Sequence, residues 1–237
     1  MKSYILRQVI QAAIVVAAIT VAVFVVLRLS AGDPARIRAP VFARPDVIEQ
    51  YRRDFGIDRP IIEQLGSFVS RAVQGDLGMS FRFQAPVSDL ILVALPKTLA
   101  LAGVALVLSM VLAVFLGAMA ASRPRSAWAA ISTALATLGQ SAPVFWTGAL
   151  LVMLFAVNLG WLPAGGYNGF SSLVLPAIAV ALSIVPTQLR VLRSSMRGVL
   201  GEEYIRTAHA FGLAPARITF VYALKNALLP LLTVIGV

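Results

Sequence analysis

The chain has 237 residues, 59% of them hydrophobic and only 13% charged, with no cysteine and a net charge of +10. With a mean hydropathy of +0.87, it lies far outside the composition of soluble domains, and without cysteine it can form neither disulfides nor thiolate metal sites. A pI near 11.0 raises the question of nucleic acid, but the basic residues are scattered between apolar runs with no aromatic-interleaved groove, so nucleic acid is not an expected partner.

The first element is an uncharged run of 20 residues from Gln8 to Leu27, preceded by Lys2 and Arg7. A cleavable signal has an apolar region of about 7–15 residues ending at small residues. This run is longer and ends at Arg28 and Leu29, which predicts an uncleaved span over Val9–Leu29 with the N-terminus inside. Residues 30–97 read as an extracytoplasmic helical region. Pro45 and Asp46 open a run whose Val47, Ile48, Tyr51 and Phe55 share a face, closed by Gly56. Ile61, Ile62, Leu65, Phe68, Val69 and Ala72 repeat the pattern. Gly75–Asp76–Leu77–Gly78 makes a turn, and Pro86 opens the next run. A small helical cap is expected, either sealing the bundle or receiving an extracytoplasmic partner.

Two further uncharged runs follow, 25 residues from Thr98 to Ser122 and 64 from Ser126 to Leu189. About 20 apolar residues cross a bilayer, so the longer run must hold two crossings, divided at the turn-rich Gly160–Ser172. The predicted spans are Thr98–Ala121, Ile131–Leu159 and Leu173–Leu192, with a fifth starting near Ala223. Pro143, Pro176 and Pro186 are expected to kink or interrupt these helices. With the N-terminus inside, the inner segments carry a net +8 and the outer ones +2, as the positive-inside rule requires. The spans contain no ionisable side chain between their ends, which argues against ion-coupled transport. Gln140, Ser141, Ser183 and Thr187 are the candidate pathway-lining residues.

The segment from Glu202 to Pro230 carries the strongest functional signal. Glu202 and Glu203 suit the positive end of a helix, Gly212 suits its left-handed closing position, and Pro215 prevents continuation. Tyr204, Ala208 and Phe211 share one face, with Arg206, His209 and Ala210 turned away. The element is too short to cross a bilayer and is tethered to a span, which makes it a socket for a soluble partner.

Enzymatic motifs are missing. There is no G-x-x-x-x-G-K-S/T phosphate loop, H-E-x-x-H or G-x-S-x-G, and the single histidine, His209, falls in the cytoplasmic loop between two spans. No catalytic residue, metal site or cofactor is expected, and any ATP must be hydrolysed by another polypeptide. The competing readings are a passive channel or ion-coupled carrier, and a non-transporting membrane scaffold.

These residues resemble the permease subunits of binding-protein-dependent ABC importers, in the peptide/nickel class, and most of all the first of that class's two permeases. YILRQVIQAAIVV and LSAGDPA look like its N-terminus, DFGIDRP and GDLGMSFRFQAPV match its outer region, and LPKTLALA looks like the entrance to its transmembrane core. YIRTAHAFGLAPARITFVYALKNALLP resembles its cytoplasmic coupling loop: Arg206, Thr207 and Ala208 stand at the Glu-Ala-Ala positions, Gly212 at the glycine, Leu229 and Pro230 at the end, and Ala227 replaces the usual isoleucine. The resemblance implies an all-α polytopic membrane bundle of the type I importer fold, with an N-terminal span (1–29), the extracytoplasmic region (30–97) and a permease core (98–237) containing the coupling loop 193–222. It implies coupling residues Glu203, Tyr204, Arg206, Thr207, Ala208, Phe211, Gly212, Leu229 and Pro230. Implied partners are a second permease, cytoplasmic ATP-binding subunits and an extracytoplasmic solute-binding protein, in the cytoplasmic (inner) membrane. The family has six spans, whereas the 12 residues from Asn226 to Val237 give about 18 Å of helix; a chain truncated within its last spans is therefore expected.

Overall fold

The computed structural model describes residues 2–30, 35–36, 39–40, 42–54, 56–80 and 82–235. Ala31–Pro34 of LSAGDPA, Phe55 of DFGIDRP, Phe81 of the turn before Pro86, and Gly236 and Val237 lie outside them. The named elements are all helical, and the chain divides into two compact units, Met1–Leu95 and Pro96–Val237.

In the first unit, α1 (Lys2–Ser30) is apolar on all sides and no part of its hydrophobic window is buried, as befits a helix solvated by lipid. Two amphipathic helices follow, α2 (Pro45–Asp54) and α3 (Ile61–Val73). The Phe68 ring of α3 lies 5.9 Å from that of Phe24 in α1. Helix α3 ends with Gly75 at φ +85°, the Gly75 N–H donating to Ala72 O and the Asp76 N–H to Arg71 O. The chain then reverses: Asp76 Oδ1 accepts the Gly78 N–H at 2.8 Å, and Met79 pairs with Pro86 in an isolated antiparallel bridge. The expected turn therefore feeds directly into α4 (Val87–Ser122), which runs unbroken through Pro96 and begins earlier than Thr98.

The second unit holds most of the core. Residues 105, 109, 113, 117 and 121 of α4 are Ala, Ser, Ala, Gly and Ala, a row of small side chains at helical spacing, each of them buried. Small residues let membrane helices interlock without a water-driven hydrophobic force. Larger side chains of α7 (Ser171–Leu200) fill the row: Val185 and Leu189 pack with Ala113 and Leu116, and Leu192 lies so close to Gly117 that a Cβ there would meet its Cδ2 at 2.9 Å.

The predicted single span over Ile131–Leu159 is instead two helices, α5 (Ala127–Ser141) and α6 (Val144–Leu151), the latter continuing in π geometry over Val152–Asn158. They meet at Ala142–Pro143 with a bend of 108°. Pro143 has no N–H to donate and disfavours helical backbone in the residue before it, and Ala142 is accordingly extended at φ −96°, ψ 126°. Pro176 and Pro186, by contrast, lie within α7 without interrupting it. At Pro186 the reason is visible. Proline leaves the carbonyl of Leu182, four residues earlier, without its helical donor, and that oxygen is covered by Gly139 of α5, where a Cβ would collide with it and approach Pro186 Cγ to 2.8 Å. A glycine Cα–H pointing at a freed carbonyl is a weak donor where no water is at hand.

Four helices are long and apolar enough to cross a membrane, or five with the bent pair counted as one, by length and composition among the described residues. The last of these begins at Pro215: α9 (Pro215–Arg217), a π stretch over Ile218–Ala223, and α10 (Leu224–Ile235).

Gly139→Ala should lower the melting temperature of the detergent-purified chain by several degrees, since overpacking costs about 1–3 kcal/mol. Gly103→Ala, where a Cβ meets nothing within 4 Å, should leave it within a degree of the parent.

Candidate functional site: the short helix α8 and its seat

Helix α8 (Glu203–Ala210) stands between two membrane-grade segments. Glu202 is its N-cap in extended conformation, and Glu203 lies in the first turn, where a carboxylate faces the positive end of the helix dipole. Its end is a Schellman closure: Gly212, at φ +71°, donates its N–H to His209 O at 2.9 Å, and the Leu213 N–H reaches back to Ala208 O at 3.3 Å. No atom beyond the glycine's chain neighbours lies within 4 Å of a Cβ built at Gly212, so glycine is required there by the backbone alone.

The buried face of α8 is Ile205, 1% exposed, and Ala208. Both belong to a single apolar cluster with Ala118 and Ala121 of α4, Leu192 and Met196 of α7, and Ile218, Ala223, Ala227 and Leu231 of the following segment. Leu213 packs against the same cluster, supplying the apolar contact that accompanies a Schellman closure. Burying an isoleucine contributes about 1.5–3 kcal/mol, so α8 is anchored in the core of the bundle. Beside it lies a concavity of about 450 Å³, lined by His209 of α8, Arg123 and Pro124 of the α4–α5 loop, and Pro215, Thr219 and Phe220.

Polar contacts fix the remaining faces. Asn226 Nδ2 of α10 donates to the Tyr204 hydroxyl at 2.8 Å, a bond spanning 22 positions of sequence. Arg206 pairs with Glu203 at 2.9 Å, both side chains largely exposed, and the Thr207 hydroxyl bonds to Glu203 O. Phe211 is 80% exposed.

Residues 113–237 match the family described as the binding-protein-dependent transport system inner membrane component, and residues 1–102 match its N-terminal membrane component. The chain belongs to this family. A relative in Brucella suis biovar 1 is 37% identical over 245 residues, covering all of this chain and 78% of its own length. The oligopeptide transport system permease protein AppB of Bacillus subtilis is 35% identical over 248 residues, again all of this chain and 78% of the relative. The glutathione transport system permease protein GsiC of Escherichia coli O6:H1 is 36% identical over 223 residues, 92% of this chain and 71% of the relative. The chain is thus a multi-pass membrane permease component, and the resemblance read from its motifs holds over its whole length.

Within this permease, the structure places Glu203, Tyr204, Arg206, Thr207, Ala208, Phe211 and Gly212 together on α8 and its closure. Leu229 and Pro230 lie exposed inside α10, whereas Asn226 of α10 bonds to α8 and Ala227 and Leu231 share its apolar cluster. Of the face Tyr204–Ala208–Phe211, only Ala208 is buried, and Ile205 is the missed anchor. Its signal was its own register: 205 and 208 are three apart, one helical turn. Among the pathway candidates, Gln140 Oε1 accepts from Arg190 at 2.6 Å. Ser141 and Ser183 bond to carbonyls of their own helices, and Thr187 is exposed.

Tyr204→Phe and Asn226→Ala, combined in a double-mutant cycle of thermal unfolding, should show a coupling of about 0.5–1.5 kcal/mol, the net worth of one hydrogen bond. Strict additivity would show that the contact holds nothing.

Proposed function

We propose that this permease is one half of the membrane pathway of an ATP-driven importer for peptides or a related small solute, pairing with a second permease. The names of the AppB and GsiC relatives, an oligopeptide and a glutathione permease, support that substrate class. A solute-binding protein delivers the solute from outside, and the chain itself carries out no hydrolysis, for it has no phosphate-binding loop. A separate ATP-binding subunit docks on α8, from Glu203 to Gly212, and on the adjoining 450 Å³ concavity.

One observation carries the reading: α8 buries Ile205 and Ala208 in the same cluster as the membrane helices, while Phe211 and Arg206 project outward. Such a helix has one face for the bundle and one for a partner. Movement of the ATP-binding subunits would then displace α8 together with α7 and α10, and switch the bundle as a rigid body between outward-open and inward-open states.

The charge asymmetry supports a cytoplasmic N-terminus and Arg123–Arg125 loop, with residues 30–97 outside. The chain has no cysteine of its own, so single cysteines at Asp58 and Ser126 can be labelled cleanly with a membrane-impermeant maleimide. They should react from opposite sides; reaction of both from one side would overturn the topology.

In the assembled transporter, Gly212→Val places a β-branched residue in the left-handed region at about 1–2 kcal/mol, with no steric collision to confuse the result. It should keep expression and binding-protein docking but lose ATP-binding-subunit association or solute-stimulated hydrolysis. Wild-type turnover would show that α8 and its closure at Gly212 do not carry the coupling.

A further inference from the structure

Three arginines, Arg190, Arg193 and Arg197, follow one another along α7 at spacings of three and four, which puts their side chains on one side of the helix. With Ser194 they line a concavity of about 380 Å³, which shares Arg190 and Arg193 with a recess of about 270 Å³ between α5 and α7. Their partners are neutral: Arg190 donates to Gln140 Oε1 at 2.6 Å, and Arg193 to Thr133 Oγ1 at 3.2 Å. The Arg193 Nε is buried and has no hydrogen-bond partner. Among the described residues no carboxylate pairs with them. From Pro96 to Val237 the only carboxylate side chains are Glu202 and Glu203, and Glu203 is paired with Arg206.

The depth of the group in the membrane narrows the choice of anion. Ser171 to Arg190 is 20 residues of helix, about 30 Å at 1.5 Å per residue, the thickness of the hydrocarbon core. Arg190 therefore stands at the boundary where α7 leaves the hydrocarbon, and Arg193 and Arg197 lie one and two turns beyond it, at headgroup level. A guanidinium fork matches phosphate oxygens bidentately, and basic recesses between membrane helices at this depth suit anionic headgroups.

We propose that Arg190, Arg193 and Arg197 hold the phosphate of an anionic phospholipid at the recess between α5 and α7. The lipid supplies the counter-charge that these three arginines do not receive from a carboxylate of the second unit. It also ties the end of α7, next to α8, to the bilayer surface.

The test measures lipid retention by the purified chain in detergent, using native mass spectrometry with dioleoyl phosphatidylglycerol and dioleoyl phosphatidylcholine, which share the same tails. The parent should retain the phosphatidylglycerol and not the phosphatidylcholine. The triple Arg→Gln variant at 190, 193 and 197 should weaken that retention about a hundredfold, at roughly a fivefold step per arginine near the surface. Arg197→Gln alone, at an exposed position, tests the step should the triple variant fail to fold. Arg123→Gln with Arg125→Gln, removing charge from the α4–α5 loop, should leave retention unchanged. Equal retention of the two lipids, or equal loss in the loop variant, would overturn the proposal in favour of bulk charge. Displacement of the lipid by millimolar inorganic phosphate would mark a free-anion site instead. A triple variant that keeps phosphatidylglycerol but no longer co-purifies with a second permease would reassign the arginines to a protein interface.

Discussion

The functional end of this permease depends on one apolar cluster that does two jobs. Leu192 and Met196 of α7, Ala118 and Ala121 of α4, and Ala227 and Leu231 of α10 hold the membrane helices together, and the same cluster receives Ile205 and Ala208 of α8. Protein interiors are close-packed and barely compressible. A displacement of α8 therefore cannot be absorbed at its seat and must move the helices that share it. The Schellman closure at Gly212 serves the same end from the backbone side, turning the chain so that Leu213 returns to the cluster. The Tyr204–Asn226 bond adds a polar tie from α8 to α10.

In the membrane, every interruption of a helix must be satisfied from within the protein. The chain meets that demand differently at Pro143 and Pro186. Pro143 breaks the path outright, with a 108° bend between α5 and α6. Pro186 leaves α7 continuous because Gly139 of α5 covers the carbonyl that the proline strands. The glycine and the proline are one device, 47 positions apart, and they set how closely α5 can approach α7. That approach in turn brings Thr133 and Gln140 within reach of Arg193 and Arg190. The π stretches over Val152–Asn158 and Ile218–Ala223 are a further departure from regular winding, of the kind found often at functional sites. The second of them contributes Ile218 and Ala223 to the seat of α8.

Much of this was legible because its causes are local. Uninterrupted apolar runs locate membrane helices wherever they fold, and a glycine after the last periodic residue closes a helix by backbone chemistry alone; Gly56, Gly75 and Gly212 all have positive φ. The faces of α8 were harder to read. An eight-residue helix with Tyr204, Ile205, Ala208 and a following Phe211 offers two apolar edges, and which one is buried depends on the cluster it meets. Pro143, Pro176 and Pro186 looked alike in the sequence, yet only Pro143 interrupts its path, and at Pro186 the covering group is Gly139, far away in the chain. The bonds from Asn226 to Tyr204 and from Arg190 to Gln140 join residues 22 and 50 positions apart, a separation no periodicity encodes.

The two faces of α8 divide the energetic work. The inner face is made of Ile205 and Ala208, small or branched side chains that fit a finished cluster. The outer side carries aromatic groups in the open, Phe211 at 80% exposure and Tyr204 at 40%. A membrane-facing aromatic would be solvated by lipid, but Phe211 sits on the turn that closes α8, two residues after His209 and on the same short element as the ion-paired Arg206 and Glu203. Large aromatic side chains ringed by polar groups are the usual centre of a protein–protein contact, where burial against a partner's pocket supplies most of the binding energy. The inner face therefore makes α8 part of the bundle, and the outer face is the surface that the proposed docking of a soluble subunit would use.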